Sequence, residues 1–390
     1  MLRVLTLSTL FPHAHRPTLG VFVERQTRAL AARAGVSVQV VAPVGVPVWP
    51  LSRHPHYHPL ARLPLLENWN GLVVHRPRFR AWPGLPPAGT AERMAAALLP
   101  YLKALRERFP FDVLDAEFFW PDGPAAARLA RALGVPFSIK ARGADIQWWP
   151  RQPGVAAQII AAGQAADGLL SVSEALRRDM GTLGLPEERV RVHYTGIDLD
   201  HFRPAADRAA AKAWLGVTGP LLVTAGALIP RKGQAIALEV LVRLPEATLI
   251  LVGDGPDRPE LEGKAAALGL TARVRFAGPQ PHEALPLYLA AADVTLLPTA
   301  SEGLANVWVE SLACGTPVVT TNVGGAREVL TAPAAGRLAA RDPGALAAAV
   351  REILMAPPAA QAVRGFAEPF SWTRNGAELE AHLRSLSPGR

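Results

Sequence analysis

Residues 301–319 run Ser-Glu-Gly-Leu-Ala-Asn-Val-Trp-Val-Glu-Ser-Leu-Ala-Cys-Gly-Thr-Pro-Val-Val. The polar start predicts a loop, the amphipathic stretch after it predicts a helix, and Gly-Thr-Pro predicts a turn into a buried strand. Glu302 falls in the loop just before the helix, and Glu310 falls about two turns into it. The segment therefore predicts a loop–helix–strand unit with one carboxylate ahead of the helix and another on its side.

The start of this helix is a predicted anion site. The backbone N–H groups around Asn306 and Val307 have no partner within the helix and lie at the positive end of its dipole, where a phosphate binds readily. A single glutamate near a helix start is often only a capping group. Two acids that flank an anion site, however, suit a ligand with phosphates in the middle and hydroxyl-rich groups at both ends, such as a nucleotide sugar.

The segment resembles the E-x7-E motif of the retaining GT-B glycosyltransferases, in particular family 4, also called glycosyltransferase group 1. In that family the first Glu contacts donor sugar hydroxyls, the second holds the ribose, and the two residues after a Gly-Phe-Gly stretch bind the diphosphate through backbone amides. The resemblance assigns these roles to Glu302, Glu310, Asn306 and Val307. Residues 303–306 read Gly-Leu-Ala-Asn here, a variant similar to capsule and exopolysaccharide enzymes that leaves the donor's identity open. Gly303 is a further donor-binding candidate of this motif.

Length and composition fit an α/β enzyme with many loops. The 390 residues allow two or three domains, 49% of them are hydrophobic and 19% are charged. A lone cysteine, Cys314, excludes an intramolecular disulfide and suits a reducing cytosol. The first eight residues predict a strand and no signal peptide, and no uncharged apolar run approaches the ~18 residues of a membrane span. We expect a cytoplasmic protein.

The net charge of +8 is concentrated in one half of the chain. Residues 1–200 hold 23 Lys and Arg against 16 Asp and Glu, and the remainder holds 18 against 17. A basic half predicts contact with an anionic partner. The sequence has no dense run of Lys and Arg and no recognisable nucleic-acid-binding motif, which argues against nucleic acid as that partner. We expect an anionic lipid surface at the inner membrane face or a lipid-diphosphate acceptor. An arginine-rich composition from a high-GC genome is the open alternative.

Strand and helix patterns alternate through both halves, which is typical of parallel sheets with crossover helices. The predicted strands are Val4–Ser8, Ser37–Ala42, Leu72–His75, Val113–Ala116, Phe137–Lys140, Gly168–Val172, Leu221–Ala225, Thr248–Val252, Val274–Gly278, Val294–Leu297 and Val318–Thr321. The helices predicted in the first half are Glu24–Ala34, Thr90–Arg108, Ala125–Leu133 and Glu174–Leu183. The resemblance implies a GT-B fold, with two Rossmann-like doubly wound parallel-sheet domains that face each other across a cleft. We place an acceptor-side domain at 1–198, a nucleotide-sugar domain at 199–369, and a C-terminal helix at 370–390 that packs back on the first domain.

The least regular region is the proline-rich Pro43–Pro87, interrupted only by the Leu72–His75 strand. Its alternating histidines, His54, His56 and His58, could face one metal ion, but nearby prolines and the absence of a fourth ligand favour an exposed loop. Its Trp, Arg and His content predicts an acceptor-side or membrane-facing rim that includes Arg78, Arg80 and Trp82.

A second basic motif follows the strand at 221–225. Lys232 lies at the mouth of a strand–loop–helix turn, a suitable place to neutralise a diphosphate. The turn resembles the family's Gly-Arg-Leu-x-x-x-Lys-Gly motif, whose Arg and Lys both bind the diphosphate. Lys232 matches the lysine, whereas Ala227 stands at the arginine position, so that contact is missing or supplied by Arg231. The alternative is that Arg231 and Lys232 are only solvated on the surface and bind no diphosphate.

In the first half, Gly20 precedes a helix and would let the backbone approach a ligand closely. Residues 140–145 resemble the family's His-Gly-x-Asp, with Arg142 at the histidine position, so Arg142 could bind donor phosphate or an acidic acceptor. Asp145 is a candidate contact to the acceptor or to a sugar hydroxyl, and helix capping is its structural alternative. Ser173 opens a helix in a segment like the family's Val-Ser-x motif and could be only a cap.

Two further patterns are predicted to be structural. Asp198-Leu199-Asp200 spells the D-x-D of metal-dependent GT-A enzymes, but it lies in the interdomain connection, and two carboxylates alone hold a cation poorly. Residues 253–256, Gly-Asp-Gly-Pro, lack the full G-x-G-x-x-G of dinucleotide sites. We expect them to shape a turn near the nucleotide base, with Gly278 as a backbone contact to that base.

The sequence therefore predicts a glycosyltransferase that moves a sugar from a UDP- or GDP-sugar to a saccharide or lipid-linked acceptor in polysaccharide or glycolipid biosynthesis. The resemblance implies retention of anomeric configuration and no metal or other cofactor, with Glu302, Lys232, Arg142 and Asp145 as catalytic candidates. Three alternatives stay open: a GT-B sugar-nucleotide 2-epimerase, an NAD-dependent dehydrogenase, which would need an intact glycine fingerprint, and a non-catalytic sugar-nucleotide-binding protein.

Overall fold

The computed structural model describes residues 1–387. It divides into two units, the first formed by Met1–Gly196 with the helix that begins at Trp372, and the second formed by Ile197–Ser371. The domain division predicted at 198/199 lies within two residues of this one. The last helix begins at Trp372, two residues later than predicted, and the predicted residues 388–390 lie outside the described part of the chain.

The first unit contains ten strands and eight helices of α type within the described residues. Its strands are β1 (Leu2–Leu7), β2 (Val36–Val41), β3 (Val44–Val46), β4 (Leu66–Trp69), β5 (Leu72–His75), β6 (Arg78–Arg80), β7 (Val113–Ala116), β8 (Phe137–Ala141), β9 (Gly168–Ser171) and β10 (Val190–Val192). Its helices are α1 (Val21–Ala31), α2 (His58–Ala61), α3 (Thr90–Arg108), α4 (Asp122–Leu133), α5 (Ala144–Gln147), α6 (Ala156–Ala165), α7 (Glu174–Leu183) and, from the end of the chain, α16 (Trp372–Leu386).

Eight of these strands form one sheet in the order β10-β9-β8-β7-β1-β2-β5-β4. Every neighbouring pair is parallel except β4 with β5, because β4 and β5 form a hairpin. The strand order reverses between β1 and β7, which is the switch point at which doubly wound sheets bind ligands. The loops after β1 and β7 therefore meet at the carboxyl edge of this sheet.

The second unit is a smaller parallel α/β unit. Its strands are β11 (Leu221–Ala225), β12 (Thr248–Val252), β13 (Val274–Gly278), β14 (Val294–Leu297), β15 (Val318–Thr321) and β16 (Gly336–Ala339). Its helices are α8 (Arg208–Trp214), α9 (Gln234–Val242), α10 (Arg258–Ala267), α11 (Leu285–Ala291), α12 (Asn306–Ala313), α13 (Ala326–Val329), α14 (Pro343–Met355) and α15 (Ala360–Gly365).

All neighbouring strands of the second sheet are parallel, in the order β13-β12-β11-β14-β15-β16. Counted along the chain this is 3-2-1-4-5-6, the Rossmann order, with its switch point between β11 and β14. Strands β11, β14 and β15 are buried along their whole length, as expected when helices cover both faces of a parallel sheet. The predicted α/β class with two doubly wound parallel sheets is confirmed.

Each unit has its own apolar core. In the first unit, Leu379 and Leu383 of α16 pack against Leu2, Val4 and Val113 at the centre of the sheet. In the second unit the core joins the central strands to two helices, and its members include Leu222, Leu249, Leu296, Leu238 and Val350. The helix α16 therefore completes the core of the first unit, although it follows the second unit in sequence.

Each strand predicted from the sequence is present, but β3, β4, β6, β10 and β16 were not predicted. The prediction that only Leu72–His75 interrupts the 43–87 region was wrong. Asn70 and Gly71 have φ of 51° and 88°, so they form the tight turn of the β4–β5 hairpin, and an Asn-Gly pair is the usual sequence signal for such a turn. The short parallel pair β3–β6 also lies in this region.

The predicted basic rim of this region includes a half-buried arginine. Both Nη atoms of Arg78 donate to backbone carbonyls, of Arg76 and Leu63, so this guanidinium ties two loops together. Arg80 is exposed, and the Trp82 side chain beside it is half exposed. The contact of this rim with an acceptor or a membrane stays a prediction.

Candidate functional site

The switch point of the second sheet brings two loops together. Residues 226–233 follow β11, and residues 298–302 follow β14. Lys232 Nζ donates a hydrogen bond to Oε1 of Glu302 over 2.6 Å, and Thr299 Oγ1 donates to the same oxygen over 2.8 Å. Because neighbouring parallel strands end at one edge, two side chains that are far apart in sequence meet here.

Arg231 belongs to the same cluster. Its Nη1 lies 3.4 Å from Oε2 of Glu302 and also donates to the carbonyl of Ser301. Ala227, at the position of the family arginine, is exposed. Two cationic side chains therefore surround one carboxylate that is only 7% exposed, which leaves a net positive charge at the loop mouth. Such an arrangement can bind a diphosphate while Glu302 remains oriented by its neighbours.

Glycines let these loops approach one another. Gly233 has a φ of 76°, and a Cβ at this position would lie 2.1 Å from the carbonyl oxygen of Pro298. Gly324 has a φ of 49°, and a Cβ there would lie 2.0 Å from the carbonyl oxygen of Glu302. Side chains at either position would push the loops apart, so these glycines help set the position of Glu302. Gly253 and Gly255 pack in the same way against Gly226 and Leu228, in the turn-shaping role expected for them.

The helix α12 begins later than the sequence indicated. Ala305 has φ −75° and ψ 116°, an extended conformation, so the first helical residue is Asn306. Glu310 consequently lies little more than one turn into the helix, not two. Asn306 and Val307 are the first two residues of α12, and no side chain caps this end, since Ala305 occupies the N-cap. Gly303, in the preceding loop, accepts a backbone hydrogen bond from Gly325.

Glu310 has a partner that the sequence did not predict. His282 Nε2 lies 3.0 Å from Oε1 of Glu310, and its ring packs edge-on against Phe202, with centroids 5.0 Å apart. His282 follows β13 closely, and Gly278 at the end of that strand accepts from the Gly253 N–H over 2.9 Å. The predicted ribose and base contacts therefore lie on connected segments. Neither His282 nor Thr299 was identified from the sequence, although Thr299, as the first polar residue after the buried β14, had a usable signal.

In the first unit, the predicted residues lie around a buried polar network. Gly20 is the N-cap of α1 with a φ of 63°, and a Cβ there would lie 2.2 Å from the Leu10 carbonyl oxygen. Arg142 pairs with Glu117 and lies over the ring of Phe22 on α1, 4.9 Å from its centroid. Its charge is thus already compensated within the unit.

Lys140 and Gln26 extend this network. The fully buried Lys140 donates from Nζ to Gln26 Oε1 over 2.7 Å, and its Nζ lies 2.9 Å from His193 Nδ1. Burial lowers the pKa of Lys140 well below its ordinary value. Burial alone would raise the pKa of Glu117, but the charges of Arg142 and Lys140 outweigh it and lower that pKa. Gln26 and Glu117 were not among the residues predicted from the sequence.

Asp145 is fully buried and satisfied by backbone groups. Its carboxylate accepts from the N–H groups of Phe119, Arg142 and Gly143 over 2.8–3.2 Å, so it holds the loops after β7 and β8 together. Burial raises its pKa. These contacts are those of a positioning group, and the predicted contact with substrate stays a prediction.

Two other predicted motifs have local partners. Ser173 caps α7 by accepting the N–H of Leu176 over 3.0 Å. Asp198 Oδ1 accepts from the N–H groups of Asp200 and His201, which stabilises the turn in which the D-x-D pattern lies. Within residues 1–387, no three His, Cys, Asp or Glu side chains form a group that could hold a metal ion.

Comparisons with known proteins cover both units. The family model for glycosyl transferases group 1 matches residues 209–368, and that for glycosyltransferase family 4 matches residues 19–201. The chain is 30% identical over 335 residues to a protein of Bacillus subtilis (strain 168) assigned to teichuronic acid biosynthesis as the glycosyltransferase TuaC, covering 83% of this chain and 82% of the relative. It is 31% identical over 402 residues to the D-inositol 3-phosphate glycosyltransferase of Frankia alni, covering 95% of this chain and 91% of the relative.

Among solved structures, Anabaena Alr3699/HepE in complex with UDP-glucose superposes with a TM-score of 0.73 at 21% identity, over 99% of this chain and 100% of the other. At this identity the likeness shows a shared fold. Together with the two family models and the two relatives, it establishes that this chain is a GT-B glycosyltransferase and belongs to glycosyltransferase family 4, the glycosyl transferases group 1.

Proposed function

We propose that the chain transfers a sugar from a nucleoside diphosphate sugar, held by the second unit, to an acceptor hydroxyl, with retention of anomeric configuration. The observation that carries this proposal is the cluster of Lys232, Arg231 and Glu302 at the switch point of the second sheet. Glu302 would contact sugar hydroxyls, the two cations and the amides of Asn306 and Val307 would bind the diphosphate, and Glu310 would bind the ribose. A UDP-sugar is the donor with most support, since the HepE structure of the same fold contains UDP-glucose.

The chemistry requires charge stabilisation on the departing diphosphate. The bond between the anomeric carbon and the donor phosphate oxygen breaks, and a bond from that carbon to the acceptor oxygen forms on the same face. The acceptor proton passes to the departing phosphate oxygen, so no protein base is needed. Fixed positive charge aimed at a developing anion is usually the largest contribution to catalysis of this kind.

We propose that this step needs no metal ion, because two cationic side chains and the start of α12 already supply positive charge to the diphosphate. Transfer that persists at an unchanged rate after treatment with EDTA, followed by dialysis, is the expected result. A loss of transfer that Mg²⁺ or Mn²⁺ restores would contradict metal independence and leave the donor site itself intact.

The proposed acceptor is a saccharide or lipid-linked molecule in polysaccharide or glycoconjugate assembly, in keeping with the teichuronic acid role given to TuaC. Apolar side chains of the 43–87 region are exposed, among them Trp49, Leu51, Trp82 and Leu85, with Arg80 nearby in sequence. Aromatic and basic side chains together suit the headgroup region of an anionic bilayer, so we propose peripheral attachment at the inner membrane face. No helix within residues 1–387 is long and apolar enough to cross a membrane.

The test is donor binding and turnover across UDP-, GDP-, ADP- and dTDP-sugars, read by thermal stabilisation and by slow donor hydrolysis. One nucleotide class is expected to stabilise the wild type, and Lys232→Ala and Glu310→Ala are expected to lose that effect. Release of a 2-epimer from the donor would favour the epimerase alternative, and binding without any turnover would favour the non-catalytic one. No stabilisation by any donor in folded protein would overturn the proposal.

A further inference from the structure

The first unit contains a pocket that the proposed donor site does not use. It has a volume of about 470 Å³ and is lined by residues that follow β1, β2 and β7, together with residues of the 55–60 turn. It lies at the carboxyl edge of the first sheet, beside the switch point between β1 and β7, where Thr9 and Pro121 line its wall. Pockets in this position and of this size commonly bind small molecules.

The polar lining of this pocket is basic. His13, His15, Arg16, His56 and Arg76 line it, and no Asp or Glu does so among the described residues. Apolar side chains, including Phe11 and Phe79, form the rest of the wall. A cavity with apolar walls and a cationic rim suits a ring-shaped molecule that carries an acidic group.

The nearest carboxylates neutralise only part of this charge. Glu67 pairs with Arg76 at Nε, while Arg76 Nη2 donates to the carbonyl of Pro12 over 2.6 Å. Asp122 accepts the N–H of Thr9 over 2.9 Å, and burial raises its pKa to about 7. Arg16 is exposed and forms no ion pair with the residues that the structure describes, so its charge remains available to a ligand.

One polar group of the wall lacks a protein partner. His13 is 94% buried, since its exposed fraction is 6%, and its Nδ1 forms no hydrogen bond within the described residues. Burial lowers the pKa of His13, and the charges of Arg76, His15 and Arg16 lower it further, against a smaller opposite effect of Glu67. A buried ring nitrogen without a partner is costly, so His13 occupies this wall at some cost to stability.

We infer that this pocket binds an acidic group of the acceptor, a carboxylate or a phosphate, through Arg16, with His13 in the wall and the sugar or polyol ring against Phe11 and Phe79. The inference rests on the proposed transfer reaction, whose acceptor class it narrows to acidic molecules. Uronic acids and sugar phosphates share this chemistry. A neutral sugar would leave Arg16 without a compensating anion.

The experiment measures the binding of D-glucuronate, D-glucose 6-phosphate and D-glucose to the full chain, by ligand-observed NMR titration with UDP present. Both acids are expected to bind at least about tenfold more tightly than glucose. Arg16→Gln is expected to weaken both acids about fivefold and to leave glucose unchanged. His13→Gln, which retains a polar group of similar reach, is expected to weaken them in the same direction.

Arg131→Gln is the matched control, because Arg131 is also exposed in the first unit, in the last turn of α4, away from this pocket. It removes the same charge and is expected to leave every affinity within about twofold. The tighter of the two acids identifies the acidic group as phosphate or carboxylate.

Equal binding of glucose and the acids, or acid binding within twofold of wild type in both Arg16→Gln and His13→Gln, would overturn the inference. UDP affinity is recorded in the same samples and tests the donor site separately. Absence of UDP binding to the wild type would therefore count against the proposed function. If the wild type binds UDP but shows no preference for the acids, only the acidic-acceptor inference for this pocket would be overturned.

Discussion

Lys232 Nζ and Glu302 Oε1 are 2.6 Å apart, although the two residues are separated by seventy positions in sequence. The pair forms because β11 and β14 are adjacent and the chain leaves both at the same edge of the sheet. Glu302 is nearly buried, and it also accepts from Thr299, so its carboxylate has a fixed orientation. A donor diphosphate at this edge would meet a lysine that is already positioned by its counter-ion.

Replacing Lys232 with Met should lower kcat/KM at least about 100-fold, or roughly 2.7 kcal/mol, because the departing diphosphate loses its positioned charge. Steady-state kinetics with the accepted donor would measure this. Lys264→Met is the control, since Lys264 pairs only with Glu239 at the surface of the second unit in the contacts described, and its kinetics should match wild type. A Lys232→Met enzyme within fivefold of wild type would contradict the diphosphate role.

Arg231 should act as the substitute for the arginine absent at Ala227. Arg231→Gln is expected to raise the donor KM about five- to tenfold, because one of two cations near the diphosphate is lost, whereas Arg231→Lys should recover most of that loss. Initial rates at varied donor concentration separate the two variants. Equal KM values for wild type and Arg231→Gln would mean that the Arg231 side chain is only solvated and does not contact the donor.

Glu310 should contribute to donor binding more than to the chemical step. Glu310→Gln is expected to raise the donor KM about tenfold with kcat within about threefold, since a hydrogen bond to a charged group is lost far from the reacting atoms. Glu352→Gln, which removes an exposed carboxylate paired with Arg337, should leave both constants unchanged. A large fall in kcat at constant KM would argue against the ribose role.

Gly233 should be more sensitive to substitution than Gly269, a glycine with positive φ and no close neighbour. Gly233→Ala should destabilise the second unit by about 2–4 kcal/mol, because both its φ of 76° and the carbonyl oxygen of Pro298 oppose a Cβ. Gly269→Ala has a similar φ of 68° with nothing within 4 Å, and should cost only about 1 kcal/mol. Urea denaturation compares the two, and equal losses would show that the close approach to Pro298 adds nothing.

His382 should make the first unit sensitive to acid. Burial lowers the pKa of His382 to about 4, so the unfolded chain binds more protons between pH 6.5 and 4. The contribution of His382 to the free energy of unfolding is therefore complete above pH 6.5. As the pH falls towards 4, the free energy of unfolding decreases by up to about 3 kcal/mol.

The variant His382→Gln retains a polar group near Ser138 Oγ, which lies 2.9 Å from His382 Nε2 in the wild type. It should show a shallower fall in the free energy of unfolding across that pH range, measured by urea denaturation at a series of pH values. If the free energy of unfolding fell in parallel with pH in wild type and His382→Gln, His382 would be excluded as the source of the acid sensitivity.

Much of the candidate site could be predicted because it depends on local patterns. Buried runs such as 294–297 identify central parallel strands, and the loop–helix–strand pattern of 301–319 places Glu302, Asn306 and Glu310 around one helix start. The errors have physical causes. The Asn70-Gly71 turn was overlooked among prolines, and the helix start at Asn306 depends on loop packing against Gly324 and Gly325, which no local pattern records.

By itself, the sequence determined the α/β class, the two units and the carboxylate pair around α12, because side-chain periodicity and turn residues act over a few positions. Tertiary structure alone decided which distant groups meet. Strand order placed Lys232 and Thr299 beside Glu302. Folding also brought Arg78 to backbone carbonyls and Asp145 to loop N–H groups. Packing also left the Nδ1 atom of His13 without a hydrogen-bond partner within the described residues. Such contacts depend on the folded positions of segments far apart in the chain, so they cannot be inferred from local spacing.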